Sequence, residues 1–128
     1  MATGVPHTSI ERQFLAETIR KTKYAAKNTR NLAFTIDLEY VISLLEKQQG
    51  KCAITGWEME FTRGGNFKGS MNPRGCTMDR IDNNKGYVPG NIQLTCAMPN
   101  MIRSTMSLKE FVSFCDDVSA TFKLKAGA

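Results

Sequence analysis

The side chains best suited to chemistry cluster in the segment from Asp79 to Asn100. Asp79 supplies a carboxylate at the end of a short run with strand character, and Asn100 supplies an amide oxygen just after a proline. Hard oxygen donors of these two kinds suit Mg²⁺, Mn²⁺ or Ca²⁺ better than zinc. The two residues can share a cation only if the chain packs them together. The secondary-structure elements between them therefore decide whether they can bind one ion.

Turn-forming residues divide this segment into short elements. Residues 76–81 predict a strand, the run Asp82-Asn83-Asn84-Lys85-Gly86 predicts a tight turn, and Pro89-Gly90 interrupts the chain again. The extended pattern resumes over residues 91–95, and a short helix is predicted over about residues 96–104. A helix packed across such a hairpin would bring Asp79 and Asn100 together.

The flanking sequence predicts helices on both sides of this hairpin. A capping box of Thr8 and Glu11 begins a helix over residues 9–28, and Asp37 caps a second helix that ends near Gly50. Residues 51–54 and the alternating run 57–61 predict short strands, and residues 62–75 predict a polar loop. Ser107 and Glu110 begin a last helix, whose predicted inner face carries Leu108, Phe111, Phe114, Cys115 and Val118.

The segment of residues 48–106 resembles the HNH family of endonucleases, also called the His-Me finger or ββα-metal group. The resemblance depends on three motifs, Asp79-Arg80, Gly90-Asn91 and Asn100-x-x-Arg103, together with the upstream run from Gly50 to Gly56. It implies an α+β fold, in which a ββα-metal finger is flanked by N-terminal and C-terminal helices. We expect one domain over residues 1–128, divided into a helical part (8–49), the finger (50–106) and a C-terminal helix (107–122).

The family pattern assigns roles to matching positions. Asp79 and Asn100 would bind one divalent ion, Mg²⁺ or Mn²⁺, while Asn91 would be the central asparagine that orients the general base. Arg103 occupies a position where a basic residue commonly faces phosphate. The implied activity is hydrolysis of DNA phosphodiester bonds, with double-stranded DNA favoured over single-stranded DNA. Taken singly, each of these residues is more typical of a turn, a helix start or a surface charge.

The sequence departs from the family at the general base, because Arg80 stands where the family has histidine. A guanidinium has no free lone pair with which to accept a proton. Either Asp82 or a metal-bound hydroxide acts as the base, or Tyr87 does, or the finger binds DNA without cutting it. We favour Asp82 or a metal-bound hydroxide as the base, with Arg80 contacting the scissile phosphate. The competing interpretation of Arg80 is an ion pair with Asp82.

The four cysteines do not predict a structural zinc site. Zinc-bearing members of the family carry two C-x-x-C pairs, but here Thr55 and Pro99 replace the second cysteine of the pairs that Cys52 and Cys96 would begin. No cysteine lies in a C-x-x-C pair, and the one histidine is His7. Two ligands cannot complete a structural zinc site. We therefore expect free, buried thiols.

Charge and hydropathy suggest an anionic partner and no membrane. The formal charge is +5, which suits DNA without demanding it. The expected phosphate contacts are Arg63, Lys68, Arg74, Lys85 and Arg103, and the basic first helix can extend them. No stretch approaches the ~20 apolar residues of a membrane helix. We expect a cytoplasmic protein, while its oligomeric state and target sequence stay open.

Overall fold

The structure, a computed structural model, describes residues 9–64 and 71–127. Its helices are α1 (Ser9–Asn28), α2 (Leu38–Gln48), α3 (Ala97–Arg103) and α4 (Leu108–Gly127), and its strands are β1 (Cys76–Arg80) and β2 (Ile92–Cys96). The strands pair antiparallel, from Cys76 opposite Cys96 to Arg80 opposite Ile92. Because α3 follows β2 directly, the predicted hairpin and helix form one ββα unit. Thr8, the predicted cap of α1, lies outside the described residues.

The core lies between this hairpin and the first two helices. Asp37 caps α2 by accepting a hydrogen bond from the backbone N–H of Tyr40 at 2.9 Å. The buried side of α2 then packs on β2, and Gln48 of α2 bonds both the N–H and the carbonyl of Leu94. The largest fully buried apolar side chains are Leu15, Val41, Leu45 and Leu94.

The two strands predicted between residues 51 and 61 do not form. Only isolated bridges occur there, one between Lys51 and Glu58 and one between Glu60 and Gly75. A tight turn closes this short segment on itself, with Gly56 N–H bonded to the Cys52 carbonyl at 2.9 Å, so neither side is long enough for a ladder. The alternation still places Met59 in the core, where it is buried.

The predicted inner face of the last helix is wrong beyond its first turn. The capping box forms as predicted, since Ser107 and Glu110 each bond the other's backbone N–H. Phe111 is buried, but Phe114 is 53% exposed, Val118 is 42% exposed and Cys115 is exposed. The helix also continues to Gly127 instead of ending near residue 122. Amphipathic spacing predicted an apolar face correctly but could not say what covers it.

Three cysteines are buried as expected, and all four described thiols are free. Burial raises the pKa of Cys96 to about 11, helped by the neighbouring Cys52, and burial also raises the pKa of Cys76. Burial pushes the pKa of Cys52 upward too, but hydrogen bonds from Thr55 and Cys96 outweigh it and lower that pKa. Among the residues that the structure describes, no helix is long and apolar enough to cross a membrane.

Candidate nuclease site

Asp79 lies in β1, opposite Gln93 of β2, and is only 3% exposed. Its Oδ2 accepts a hydrogen bond from Gln93 Nε2 at 2.8 Å, and its Oδ1 accepts one from Arg103 Nη2 at 2.6 Å. The carboxylate is therefore held by donors from the neighbouring strand and from the end of α3. This arrangement fixes its orientation before any ligand binds.

Arg103 is fully buried, so the prediction that it faces phosphate is wrong for this structure. Besides the Asp79 carboxylate, it donates to the backbone carbonyls of Arg80 at 2.8 Å and Met106 at 2.5 Å. Its Nε is buried without a hydrogen-bond partner. The guanidinium thus ties the end of α3 to the end of β1, because its donors fit these converging carbonyl and carboxylate oxygens. Spacing alone could not distinguish this internal role from a surface charge.

Asn91 holds the loop between the two strands. Its Oδ1 accepts from the backbone N–H of Asp82 at 2.8 Å, and its Nδ2 donates to the carbonyls of Asp82 at 3.1 Å and Gly86 at 2.9 Å. The side chain is buried. In this structure it positions backbone, so its predicted task of orienting a general base stays a prediction.

Arg80 and Asp82 point to different partners. Asp82 Oδ1 accepts a hydrogen bond from the backbone N–H of Asn84 at 2.9 Å, which is the bond of an Asx turn. Asp82 does not line the cleft that Asp79, Arg80 and Asn100 share. Arg80 Nη1 donates to the carbonyls of Asn83 at 2.8 Å and Lys85 at 3.1 Å rather than to Asp82. The structure therefore favours Asp82 as a turn residue and leaves the remaining guanidinium donors of Arg80 for a ligand.

Asn100 lies on α3 and faces the same hairpin. Its Nδ2 donates to Thr77 Oγ1 at 3.1 Å, and Thr77 Oγ1 in turn contacts Thr95 across the strands. With Nδ2 used in this way, the amide oxygen Oδ1 is the atom of Asn100 that remains for a ligand.

A cleft of about 550 Å³ brings the central candidates together. Its walls come from α1, from β1 with the following loop, and from α3. From the predicted set it includes Asp79, Arg80 and Asn100, with Tyr87. Convergence of the carboxylate and the amide on one cleft is the arrangement that the hairpin-and-helix prediction required.

Two further cations, Lys21 and Arg30, line the cleft. Lys21 belongs to the basic first helix that was expected to extend the phosphate contacts, whereas Arg30 was not predicted. Lys21 lies on α1, and Arg30 follows that helix and donates from Nη1 to the Tyr87 hydroxyl at 3.0 Å. The guanidinium carbon Cζ of Arg80 also lies over the Tyr87 ring, 5.5 Å from its centroid. The basic character of α1 was visible in the sequence, but its many lysines and arginines do not show which of them turns toward the hairpin.

Three of the other predicted phosphate contacts, Arg63, Arg74 and Lys85, do not line the cleft. Arg63 donates to the Phe14 carbonyl at 3.2 Å and to Thr18 Oγ1 at 2.9 Å, so it is engaged with α1. Arg74 is exposed and lies over the Trp57 ring at 4.1 Å. Lys85 is exposed in the loop between the strands, and Lys68 lies outside the described residues.

The donor set fits a divalent ion only if water and substrate contribute most of the ligands. Among the described residues, no group of three or more His, Cys, Asp or Glu side chains is arranged to hold a metal ion. Asp79 has unused lone pairs and Asn100 has its amide oxygen, and Mg²⁺ is commonly bound by one or two carboxylates with waters and substrate phosphates. The guanidinium of Arg103 on Asp79 Oδ1 reduces the attraction for a cation. Tight binding of a metal ion by these protein groups alone is therefore not expected.

Comparison with solved structures supports the fold. The chain is similar to a structure of PacI, a rare-cutting HNH restriction endonuclease studied for its DNA perturbation, with a TM-score of 0.60. The match covers 98% of this chain and 91% of the PacI chain at 20% sequence identity.

The chain has an HNH endonuclease fold. The predicted α+β class and ββα unit are confirmed by this match and by the observed order of elements. No protein-family model matches the sequence, and no curated protein matches it. An identity of 20% shows the fold alone, so activity has to be argued from the site.

Proposed function

We propose that this protein is an HNH-type endonuclease that hydrolyses phosphodiester bonds in double-stranded DNA with one Mg²⁺ or Mn²⁺ ion. The observation that carries the proposal is the convergence of Asp79, Arg80 and Asn100 on one cleft whose facing wall is the basic helix α1. PacI, which shares the fold, is a restriction endonuclease. A DNA substrate fits both the fold and the charge of the cleft.

Substrate binding depends on the cations of the cleft. Lys21 and Arg30 are exposed on the α1 side, and Arg80 is half-buried on the hairpin side. Asp79 is the acidic residue among the cleft walls, and its charge is already compensated by Arg103. The cleft therefore presents an excess of positive charge to an entering phosphate backbone. The guanidinium of Arg80 is suited to the scissile phosphate because it can donate two parallel hydrogen bonds.

Asp79 and Asn100 would supply the protein oxygens for the divalent ion. When bound, the ion would contribute charge neutralisation at the phosphate and at the leaving oxygen. Asp79 is oriented for this task by Gln93 and Arg103, and Asn100 is oriented by Thr77. Neither side chain has to reorganise its protein contacts on binding, which favours charge stabilisation in the transition state.

The structure changes which residue we propose as the proton acceptor. Asp82 is engaged in its own turn and does not line the cleft, whereas the Tyr87 hydroxyl lies in the cleft against Arg30. We assign the role to Tyr87, whose hydroxyl oxygen lies 3.0 Å from the Arg30 guanidinium in the cleft. Asp82 then serves only to shape the loop.

Plasmid nicking in Mg²⁺ or Mn²⁺ tests the activity. Asp79→Asn can still accept a hydrogen bond from Arg103, so it removes the charge with the least disturbance of the buried pair. We expect Asp79→Asn and Asn100→Ala to lose about a hundredfold or more in rate, and Tyr87→Phe to lose a similar factor. The control is Lys47→Ala, an exposed lysine at the end of α2. Wild type without nicking, or full activity in Asp79→Asn, would contradict the proposal.

Gel-shift titration at several salt concentrations tests the DNA surface separately. Each phosphate-contacting cation contributes about one unit to the slope of log affinity against log salt. We expect Lys21→Ala and Arg30→Ala to weaken binding to unrelated sequences alike and to lower that slope by about one unit each. Lys47→Ala should leave both quantities unchanged.

A second candidate function is a DNA-binding module that does not cut. It is favoured by Arg80 at the position of the family's general base and by the pairing of Asp79 with Arg103. Binding that persists in chelator, with no cleavage in any divalent metal, would select this alternative. A gain of cleavage in Arg80→His would show that the missing histidine limits the natural chain.

A further inference from the structure

The turn that follows α3 holds Ser104 in a backbone conformation that glycine normally occupies. Ser104 has φ 52° and ψ −118°, and the N–H of Met106 bonds the carbonyl of Arg103 at 3.0 Å. This hydrogen bond closes a β-turn over residues 103–106, with Ser104 at its first central position. The angles are those of a type II′ turn, in which glycine is the usual residue at that position. The turn therefore carries a side chain where a Cβ is strained.

Two other non-glycine residues with positive φ are less strained. Gln49 has ψ 37°, which is the ordinary left-handed region at the end of a helix, and Asn31 is of a type that adopts positive φ more readily than most. Ser104 lies outside that region. Holding a residue in such a sparsely populated conformation lowers the folding equilibrium constant by roughly five- to a hundredfold, and strain of this kind concentrates at functional sites.

The internal role of the turn does not explain the serine. Arg103 donates to the Met106 carbonyl and to the Asp79 carboxylate, so the turn supports the buried ion pair through a backbone oxygen. A glycine at position 104 would permit the same turn with less strain. Within the part of the chain that the structure describes, Ser104 Oγ has no hydrogen-bond partner. The hydroxyl is therefore left for a ligand.

Ser104 is exposed and lines the cleft of the candidate nuclease site, together with Thr105. It lies one helical turn beyond Asn100, whose carbonyl accepts a hydrogen bond from the Ser104 N–H at 3.1 Å. The same cleft carries the cations Lys21 and Arg30 on its α1 side. A free hydroxyl in a cleft with an excess of positive charge suits a phosphate oxygen, because serine and threonine hydroxyls are common donors to the DNA backbone.

We propose that Ser104 binds a backbone phosphate of the DNA substrate through its hydroxyl, and that the strained turn is retained for this contact. The inference rests on the proposed function in its choice of DNA as the ligand. The Ser104 hydroxyl donates to a non-bridging phosphate oxygen, while Lys21 and Arg30 compensate the phosphate charge. Because Asn100 is one helical turn away, the contact lies close to the proposed ion site and fixes the backbone there.

Urea denaturation of two variants tests the strain. Ser104→Gly should raise the folding equilibrium constant about fivefold, because relief of the strain exceeds the greater chain entropy of glycine in the unfolded state. Ser104→Ala keeps the Cβ and its strain, so its folding equilibrium constant should stay within about twofold of the wild-type value. A Ser104→Gly variant that is no more stable than wild type overturns the proposal, since the serine would then carry no cost.

Gel shift with duplex DNA of arbitrary sequence, in the presence of chelator, tests the contact without cleavage. We expect Ser104→Ala and Ser104→Gly to bind about fivefold more weakly than wild type, because each lacks the hydrogen bond. The slope of log affinity against log salt should not change, since no cation is removed. Ser113→Ala, at an exposed serine of α4 outside the cleft, is the control and should bind like wild type.

The two Ser104 variants therefore separate stability from binding, since Ser104→Gly should be more stable than wild type and yet bind DNA more weakly. Full binding by Ser104→Ala, or a wild type that binds no DNA, overturns the phosphate contact. Failure of the nuclease proposal is distinguishable. A wild type that binds DNA without nicking it refutes the nuclease, while weaker binding by Ser104→Ala still supports the contact. A wild type that nicks DNA, with full binding by Ser104→Ala, removes the serine contact alone.

Discussion

Asp79 and Arg103 form a buried ion pair at the centre of the candidate site, with Asp79 4% exposed at its side chain and Arg103 fully buried. Removing two charges from water is costly, and the remaining donors must be satisfied for such a pair to persist. Here Arg103 donates to the backbone carbonyls of Arg80, at the end of β1, and of Met106, in the turn after α3, while its Nε has no partner. One residue therefore both neutralises the candidate metal ligand and joins the two elements that carry the site.

Replacement of Arg103 should be severely destabilising. In Arg103→Leu the Asp79 carboxylate would stay buried without its counter-charge, and breaking such a pair typically costs about 3–5 kcal/mol. Urea denaturation of wild type and variant measures the difference in the free energy of unfolding. Arg20→Leu, at an exposed arginine of α1, is the control and should change stability by less than about 0.5 kcal/mol. A cost for Arg103→Leu as small as the control's would contradict the buried-pair interpretation.

At the scale of secondary-structure elements, the loop between β1 and β2 forms part of the cleft wall. Its end packs on the chain between α1 and α2, where the Tyr87 N–H bonds the Ala33 carbonyl at 2.8 Å and the Thr35 N–H bonds the Tyr87 carbonyl at 3.0 Å. A Cβ on Gly86 would overlap the Ala33 carbonyl oxygen and lie 2.9 Å from the Ala33 nitrogen. Glycine is needed here because two backbones meet, and this contact holds Tyr87 against Arg30.

Gly86→Ala should therefore separate the loop from that chain segment. We expect a loss of about 3 kcal/mol in the free energy of unfolding, the upper end of the usual cost of overpacking. Gly56→Ala is the matched control, because a Cβ there meets no atom within 4 Å and the change only forces alanine to φ +75°. That strain should cost about 1 kcal/mol. Equal losses in the two variants would show that the Ala33 contact is not tight.

Local sequence explains which secondary-structure elements were predictable. β1, β2 and α3 were correct to within a residue or two, because turn residues on either side limit them locally. The segment 51–61 was not, because a strand requires a partner of matching length, and alternation does not report whether one exists. The apolar face of α4 was predicted, but its exposure depends on neighbours that lie elsewhere in the chain.

At the scale of the whole molecule, the buried thiols make the folding stability depend on pH. Cys96 is fully buried beside Cys52, and its pKa rises from 9.0 to about 11. Between these values the unfolded chain has lost the proton while the folded chain keeps it, so folding stability falls as pH rises. The stabilisation is complete below about pH 9 and is lost as pH approaches about 11. Burial of Cys76 acts in the same direction, whereas the lowered pKa of Cys52 acts in the opposite one.

We expect the free energy of unfolding, measured under reducing conditions, to decrease between about pH 9 and about pH 11. The slope is compared with that of Cys96→Ala, which removes this thiol and leaves the other titratable groups in place. The variant is less stable at neutral pH because of the cavity, but its decline with pH should be shallower. Identical slopes in the two proteins would show that Cys96 does not carry the effect.

The sequence by itself determined the local organisation of this protein: a hairpin and a short helix carrying Asp79, Arg80, Asn91 and Asn100, and the caps of α2 and α4. These features depend on turn chemistry and on contacts between near neighbours in the chain. Only the tertiary structure decided that Arg103 is buried, that Asp82 leaves the cleft, that Lys21 and Arg30 enter it and that α4 is uncovered. Each of these depends on packing between distant segments, which a residue's type and spacing do not specify.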